Sequence, residues 1–272
     1  MSNLYCDLES FKARMGITGT GDDAQVLALL ENISRAIDQF CNRFFFVKHE
    51  TRYYDGVASP LLLDGDLIAV TSVKTDDDAD GAGWETTWSA SDYELLPYNG
   101  FPKNAIAVTP WGGRSDFNKG GKKAVEVAGR WGYREEIEDS SADINEGAQY
   151  SAADNTLTVT DGTEFKTGMT VRIESEQLYV SAISGNDLMV ERAVNGTTAA
   201  AHADGTGIDV YRYPRPMAEA CLIQAARIWK RKDSAYIVNV AAATFRQEPF
   251  PDVDPDVRTL LAPYRRIVIA GV

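Results

Sequence analysis

Between Asp22 and Arg43 the apolar residues Val26, Leu29, Leu30, Ile33, Ala36, Ile37, Phe40 and Cys41 return at steps of three and four. That spacing places them on one stripe of an α-helix. Glu31, Arg35, Asp38 and Gln39 fall on the other side. Gly21 breaks the chain ahead of this stripe, and Asp22 or Asp23 can cap the free amides of the first turn. A shorter helix is predicted from Asp7 to Met15, ended by Gly16. The one-sided apolar face of this helical hairpin needs a partner, and the far end of the chain offers one. Arg215-Pro216 opens a second long helix in which Met217, Ala220, Cys221, Ile223, Ala225, Ile228 and Trp229 make most sides apolar. Lys230, Arg231 and Lys232 close it, where positive charge suits the helix dipole. A third helix is predicted from about Pro255 to Tyr264, and the last residues, Ile267 to Val272, read as an extended apolar tail.

Between these ends the period changes to two. Residues 47–75 and 84–133 alternate in strand fashion through RYYDGV, PLLLDG, LIAVTSVKT, YELLP, AIAVTP and AVEVAGRWGY, with Gly- and Asp-rich turns between. The acidic stretch from Glu135 to Glu146 reads as a linker. From Asn155 five short strands follow, TLTVT, TVRIE, QLYVSAI, DLMVE and IDVYR, which point to a small barrel or sandwich. The expected fold class is therefore α+β. Segments 1–46 and 213–266 form a helical core, 47–140 a central β region with long hairpin loops, 141–212 an inserted β-domain, and 267–272 a tail.

Composition narrows the function. A chain of 272 residues can bury a proper core. The formal charge of −13 argues against a surface that grips phosphates, since such binding needs clustered Lys and Arg. An acidic wall can still surround DNA and let it slide. Cys6, Cys41 and Cys221 lie far apart with no metal or redox spacing and are expected as buried free thiols. The opening residues predict no signal peptide, and no apolar run is long enough to cross a bilayer.

Candidate chemistry is sparse. Asp76, Asp78, Asp80 and Gly81 match the first half of a calcium loop, but Thr87 stands where the bidentate Glu belongs and the flanks read as strand. An acidic hairpin tip explains the run. Gly19-Thr20-Gly21 follows no strand and reads as a turn and cap rather than a nucleotide-binding turn. His49 and His202 have no suggestive neighbours in sequence and are expected as solvated surface residues, and no Ser lies in a nucleophile elbow. No catalytic residue, cofactor or metal is expected. The segment from Gly112 to Lys123 is the one basic, Gly-rich island, readable as a finger touching DNA or a neighbouring subunit, or as a long solvated hairpin. The tail Ile267-Val268-Ile269-Ala270 must pair with its own sheet or add to a partner's.

Five stretches carry a family resemblance, and their order strengthens it. SRAIDQFCNRFF at 34–45 looks like an opening helix running into a first strand, DYELLP at 92–97 and VEVAGRWGYRE at 125–135 like a central sheet, and PRPMAEACLIQAARIWKRKD at 214–233 like a second long helix. VNGTTAAAHADGTGIDVYRYP at 194–214 is similar to runs in larger members that carry an inserted β-domain. Together they resemble the head–tail adaptor (connector) proteins of long-tailed bacteriophages and related prophages. The insertion at about 141–212 is a departure from smaller members. The resemblance implies a non-enzymatic structural virion protein of the neck, made in the host cytoplasm. It implies a homo-oligomeric ring, typically of twelve copies, stacked between the portal protein and a stopper or tail-completion protein. Double-stranded DNA would pass through the bore without sequence-specific binding during genome packaging and ejection, and no membrane is involved. On that reading Trp111, Arg114, Phe117 and Lys119, with Ile267, Val268 and Ile269, are the expected contacts between subunits or rings. A tail or baseplate protein, and a carboxylate-dependent hydrolase, are the alternatives from other classes.

Overall fold

The computed structural model describes residues 3–78, 80–81, 83–117, 121–234 and 253–267. The chain divides into two compact units. The first comprises Met1–Arg43, Ile137–Val194 and Thr198–Val272, and the second Phe44–Glu136 with Asn195–Thr197. The fold class is α+β.

The helices of the first unit are α1 (Leu8–Met15), α2 (Asp23–Cys41), α3 (Arg215–Ser234) and α4 (Pro255–Leu261). Asp7 caps α1 by accepting the Ser10 amide at 2.7 Å, and Gly16 ends it in the left-handed region at φ 66°. The Asp22 side chain makes no cap bond, and Asp23 instead meets Lys12 at 2.6 Å. Val26, Leu30, Ile33, Ile37 and Cys41 are buried along one stripe of α2. Each such Leu or Ile contributes roughly 1.5–3 kcal/mol by leaving water. Their partner is α3, whose Cys221 lies against the Ser34 hydroxyl and the Leu30 carbonyl. Phe11 meets Trp229 edge-on with ring centroids 6.1 Å apart, and Arg14 binds Glu219 at 2.8 Å. Although α3 was expected to be central, Leu222, Ile223, Ile228 and Trp229 are only half-buried. From α4, Val257 and Leu261 are buried, and Arg227 on α3 pairs with its N-cap, Asp254, at 2.9 Å.

The second unit is an antiparallel sheet of β1 (Lys48–Tyr54), β2 (Leu61–Thr75), β3 (Thr86–Thr87), β4 (Tyr93–Leu96), β5 (Lys103–Val108) and β6 (Val125–Trp131). Its order is β1-β6-β2-β5-β4, with β3 paired to β2. PLLLDG and LIAVTSVKT, which alternate as two strands in the sequence, form one strand of 15 residues. The register slips between Leu63 and Leu67, and Asp66 takes φ 54°. The start of β2 pairs with β5 and its remainder with β6. Gly129 makes the close crossing possible, because a Cβ there would lie 2.5 Å from the Ala69 carbonyl. Leu67, Val73, Ile106, Val127 and Trp131 are central in its core.

The remaining strands of the first unit are β7 (Ile137–Asp143), β8 (Thr156–Thr158), β9 (Thr170–Ile173), β10 (Glu176–Ser184), β11 (Asp187–Glu191) and β12 (Gly207–Tyr211). They run in the order β7-β12-β9-β10-β11-β8. The Asn145 amide donates to the Thr158 carbonyl and the Thr160 amide to the Asp143 carbonyl, both at 2.9 Å. Those bonds join the first strand to the last, so the sheet closes into a barrel rather than a sandwich. Every wall sends in a pair of side chains two residues apart: Ala142 and Ile144, Leu157 and Val159, Val171 and Ile173, Leu178 and Val180, Leu188 and Val190, Ile208 and Val210. The expected linker at 135–146 is corrected here, since most of it is β7. Its exposed positions include the acidic Glu138, Asp139 and Asp143, and the inward Ser140 is satisfied by donating to the Ile208 carbonyl at 2.6 Å.

Candidate functional site

The described part of the basic loop is held more firmly than its composition foretold. Arg114 binds Asp77 at 2.9 Å and lies over the Trp88 ring. Phe117, expected at a contact, is fully buried, stacked on Trp88 with centroids 4.7 Å apart, and its backbone bridges Val57 in both directions. It anchors the loop and presents nothing to a partner. The reason is the mate offered by Trp88, which sequence spacing does not reveal. Lys122 reaches Asp55 at 2.6 Å. Trp111 is 89% exposed, a large apolar surface left in water. Lys119, Val268 and Ile269 lie outside the described residues, while Ile267 is 86% exposed.

A second aromatic feature escaped the sequence reading. The tip between β4 and β5 carries Tyr98 and Phe101, 65% and 53% exposed. Lys103 braces it from beneath, donating to the Pro97 and Tyr98 carbonyls at 2.6 and 3.0 Å with its ammonium 4.7 Å from the Phe101 ring centroid. Tyr98 also donates to Glu94. The available signal was two aromatics inside a turn, YNGFP, where polar residues are usual.

Carboxylate oxygens of Asp76, Asp78, Asp80 and Glu85 lie within 4.8 Å of one another. Among the described residues, these could hold a hard cation, with Glu85 entering from beyond the half-motif. Asp76 is buried and accepts the Gly81 amide at 3.0 Å, while the other three are exposed at a hairpin tip.

The largest correction concerns His202, which is 1% exposed rather than solvated. Its Nδ1 is 2.7 Å from Glu174 and its Nε2 is 2.9 Å from Glu176. Glu176 is also buried and is gripped by both Arg192 Nε and Nη2 at 2.7 Å, and it accepts the Ala193 and Ala200 amides at 3.1 and 3.0 Å. Arg192 lies over the Tyr150 ring, 4.4 Å from its centroid. Burial pushes the Glu176 carboxyl up, but Arg192, the Ala200 amide and His202 outweigh it and hold it at about 2. Each lone pair is used, and neither Glu176 nor His202 is open to a substrate. The cluster therefore fastens the loop after β11 to the start of β10 as a structural clip. Its members are 16 and 26 residues apart, so no local motif announces it.

In the helical part, burial raises Asp38 to about 6 despite Arg35 beside it and the Tyr5 hydroxyl donating to it. All three cysteines are buried and free. The hydrogen bond to Cys221, together with burial, pushes the Cys6 thiol upward, and burial raises Cys41 to about 11.

No family model matches the chain. No curated protein matches it either. Among solved structures, a chain described as "Neck of empty GTA particle computed with C6 symmetry" aligns with all of this chain and 96% of its own length, at 13% identity and a TM-score of 0.47.

Proposed function

We propose that the chain is a structural subunit of a phage-type neck, a head–tail adaptor that assembles into a ring between the portal and a stopper or tail-completion protein. The observation that carries this reading is the packing of α2 on α3. The two stretches resembling the family's long helices, 34–45 and 214–233, begin or lie in these helices and meet at Ser34 and Cys221. The acidic composition suits a wall past which DNA slides. A ring repeats one heterologous interface until it closes, and the exposed Trp111, Tyr98 and Phe101 supply large apolar surface of the kind such interfaces cover. Twelve copies, a virion location and a mechanical rather than catalytic role follow from the resemblance. The apolar tail, beginning at the exposed Ile267, is the proposed inter-ring contact.

The test is the mass of the purified chain alone and with portal added, together with images of the assembly. Rings with a central hole that bind portal are the expected result. A strictly monomeric chain that ignores portal would overturn the reading. Deleting residues 267–272 should leave a folded protein that no longer completes particles.

A further inference from the structure

We infer that Cys6 and Cys221 are a covalent modification site: a hydroperoxide converts the pair to a disulfide that ties the N-terminal segment to α3. The two sulfurs are 3.1 Å apart, about 1 Å from the length of an S–S bond. The approach is built from both sides. Residues 3–8 form a strap in which the Tyr5 amide donates to the Ser34 hydroxyl at 3.1 Å and the Leu8 amide to the Thr167 carbonyl at 3.2 Å. Thr170 donates to the Asn3 side chain at 3.2 Å. Opposite the strap, Cys221 is fixed on α3 with the Ser34 hydroxyl 3.8 Å from its sulfur. Access is unequal. Cys6 helps line a cleft of about 180 Å³, with Leu4, Thr170, Tyr211 and Tyr213 among its other walls, whereas Cys221 lies wholly buried behind it.

The order of events follows from that asymmetry. The Cys6 sulfur attacks one peroxide oxygen as its thiol gives up the proton, the O–O bond breaks, and the leaving hydroxide takes that proton to become water, leaving a sulfenic acid on Cys6. The Cys221 sulfur then attacks the sulfenic sulfur, the S–O bond breaks, and the hydroxyl leaves as a second water with the Cys221 proton. Two thiols and one hydrogen peroxide give one disulfide and two waters. A reducing cytosol keeps the pair as thiols, and an oxidising medium outside the cell favours the bond. Only this timing, reduced in the host and cross-linked in a released particle, rests on the neck reading.

The test treats the purified full chain with hydrogen peroxide, quenches it, and titrates thiols under denaturing conditions. The three free thiols should fall to one, and a non-reduced digest should contain a peptide joining residues 6 and 221. The melting temperature should rise, and dithiothreitol should reverse that rise. Cys41→Ser should retain the cross-link, and Cys6→Ser and Cys221→Ser should each abolish it. If Cys221→Ser does not fold, the wild-type digest and Cys6→Ser still decide. Three thiols persisting, Cys6 passing to sulfinic acid with Cys221 still free, or bonds between chains would each overturn the proposal. Failure of the protein to form rings would leave this chemistry untouched.

Discussion

The barrel and the open sheet are built from the same antiparallel ladder and handle their edges in opposite ways. In the barrel β7 and β8 are bonded to each other, so each strand has a neighbour on both sides. In the second unit β1 and β4 end the strand order among the described residues. The barrel encloses the Glu176–Arg192–His202 clip, while the sheet leaves Trp111, Tyr98 and Phe101 in water at its loops. A closed surface serves as a rigid body. An open one with exposed aromatics is suited to being covered by another chain.

This contrast can be broken most directly at the clip. Glu176→Ala leaves the buried Arg192 guanidinium without its carboxylate and should cost about 3–5 kcal/mol in chemical denaturation. Ile106→Ala in the sheet core should cost about 2–5 kcal/mol. If Glu176→Ala costs less than either range, the cluster is not what fastens the barrel.

The buried Glu176 and the half-buried Asp38 should respond to pH with opposite signs. Glu176 is held below its ordinary 4.5, at about 2. Its contribution is present above that ordinary value and is lost as pH falls toward 2, so the barrel should weaken in acid. Asp38 is raised from 3.8 to about 6. The folded state binds the extra proton between those values, so the helical part should lose stability as pH rises from 3.8 to 6. Asp38→Asn should flatten that second slope and leave the first alone, as followed by thermal melts across pH. The smallest effect on stability belongs to the exposed aromatics. Trp111→Ala should change unfolding by about 0.5 kcal/mol or less, yet weaken assembly measured by native mass. Loss of stability without loss of assembly would reverse the roles assigned to sheet and loop.

Much of this architecture was legible as periodicity. The three-and-four spacing of α2 and the end of α1 at Gly16 appear in the structure where the residues place them, whereas Asp22 makes no cap bond. The paired apolar positions of the barrel strands were visible for five strands of the six. The sixth, β7, was hidden because its inward positions are Ser140 and Ala142, small or polar, and its exposed ones, Ile137, Glu138, Asp139, Ser141 and Asp143, are mostly acidic. Among the candidate contacts, Trp111 is exposed whereas Phe117 of the same loop is core, a difference that their spacing did not show.

What the amino-acid order determined by itself is whatever depends on neighbours a few residues away: helix faces, caps, strand alternation and turns. Only the tertiary structure decided barrel closure, the burial of Phe117 against Trp88, the clip around Glu176, and the meeting of Cys6 with Cys221. Each of those joins residues from 13 to 215 positions apart, or depends on an edge finding its mate. Their energies come from pairing and desolvation in the folded chain, and a local pattern of polar and apolar residues carries no record of them.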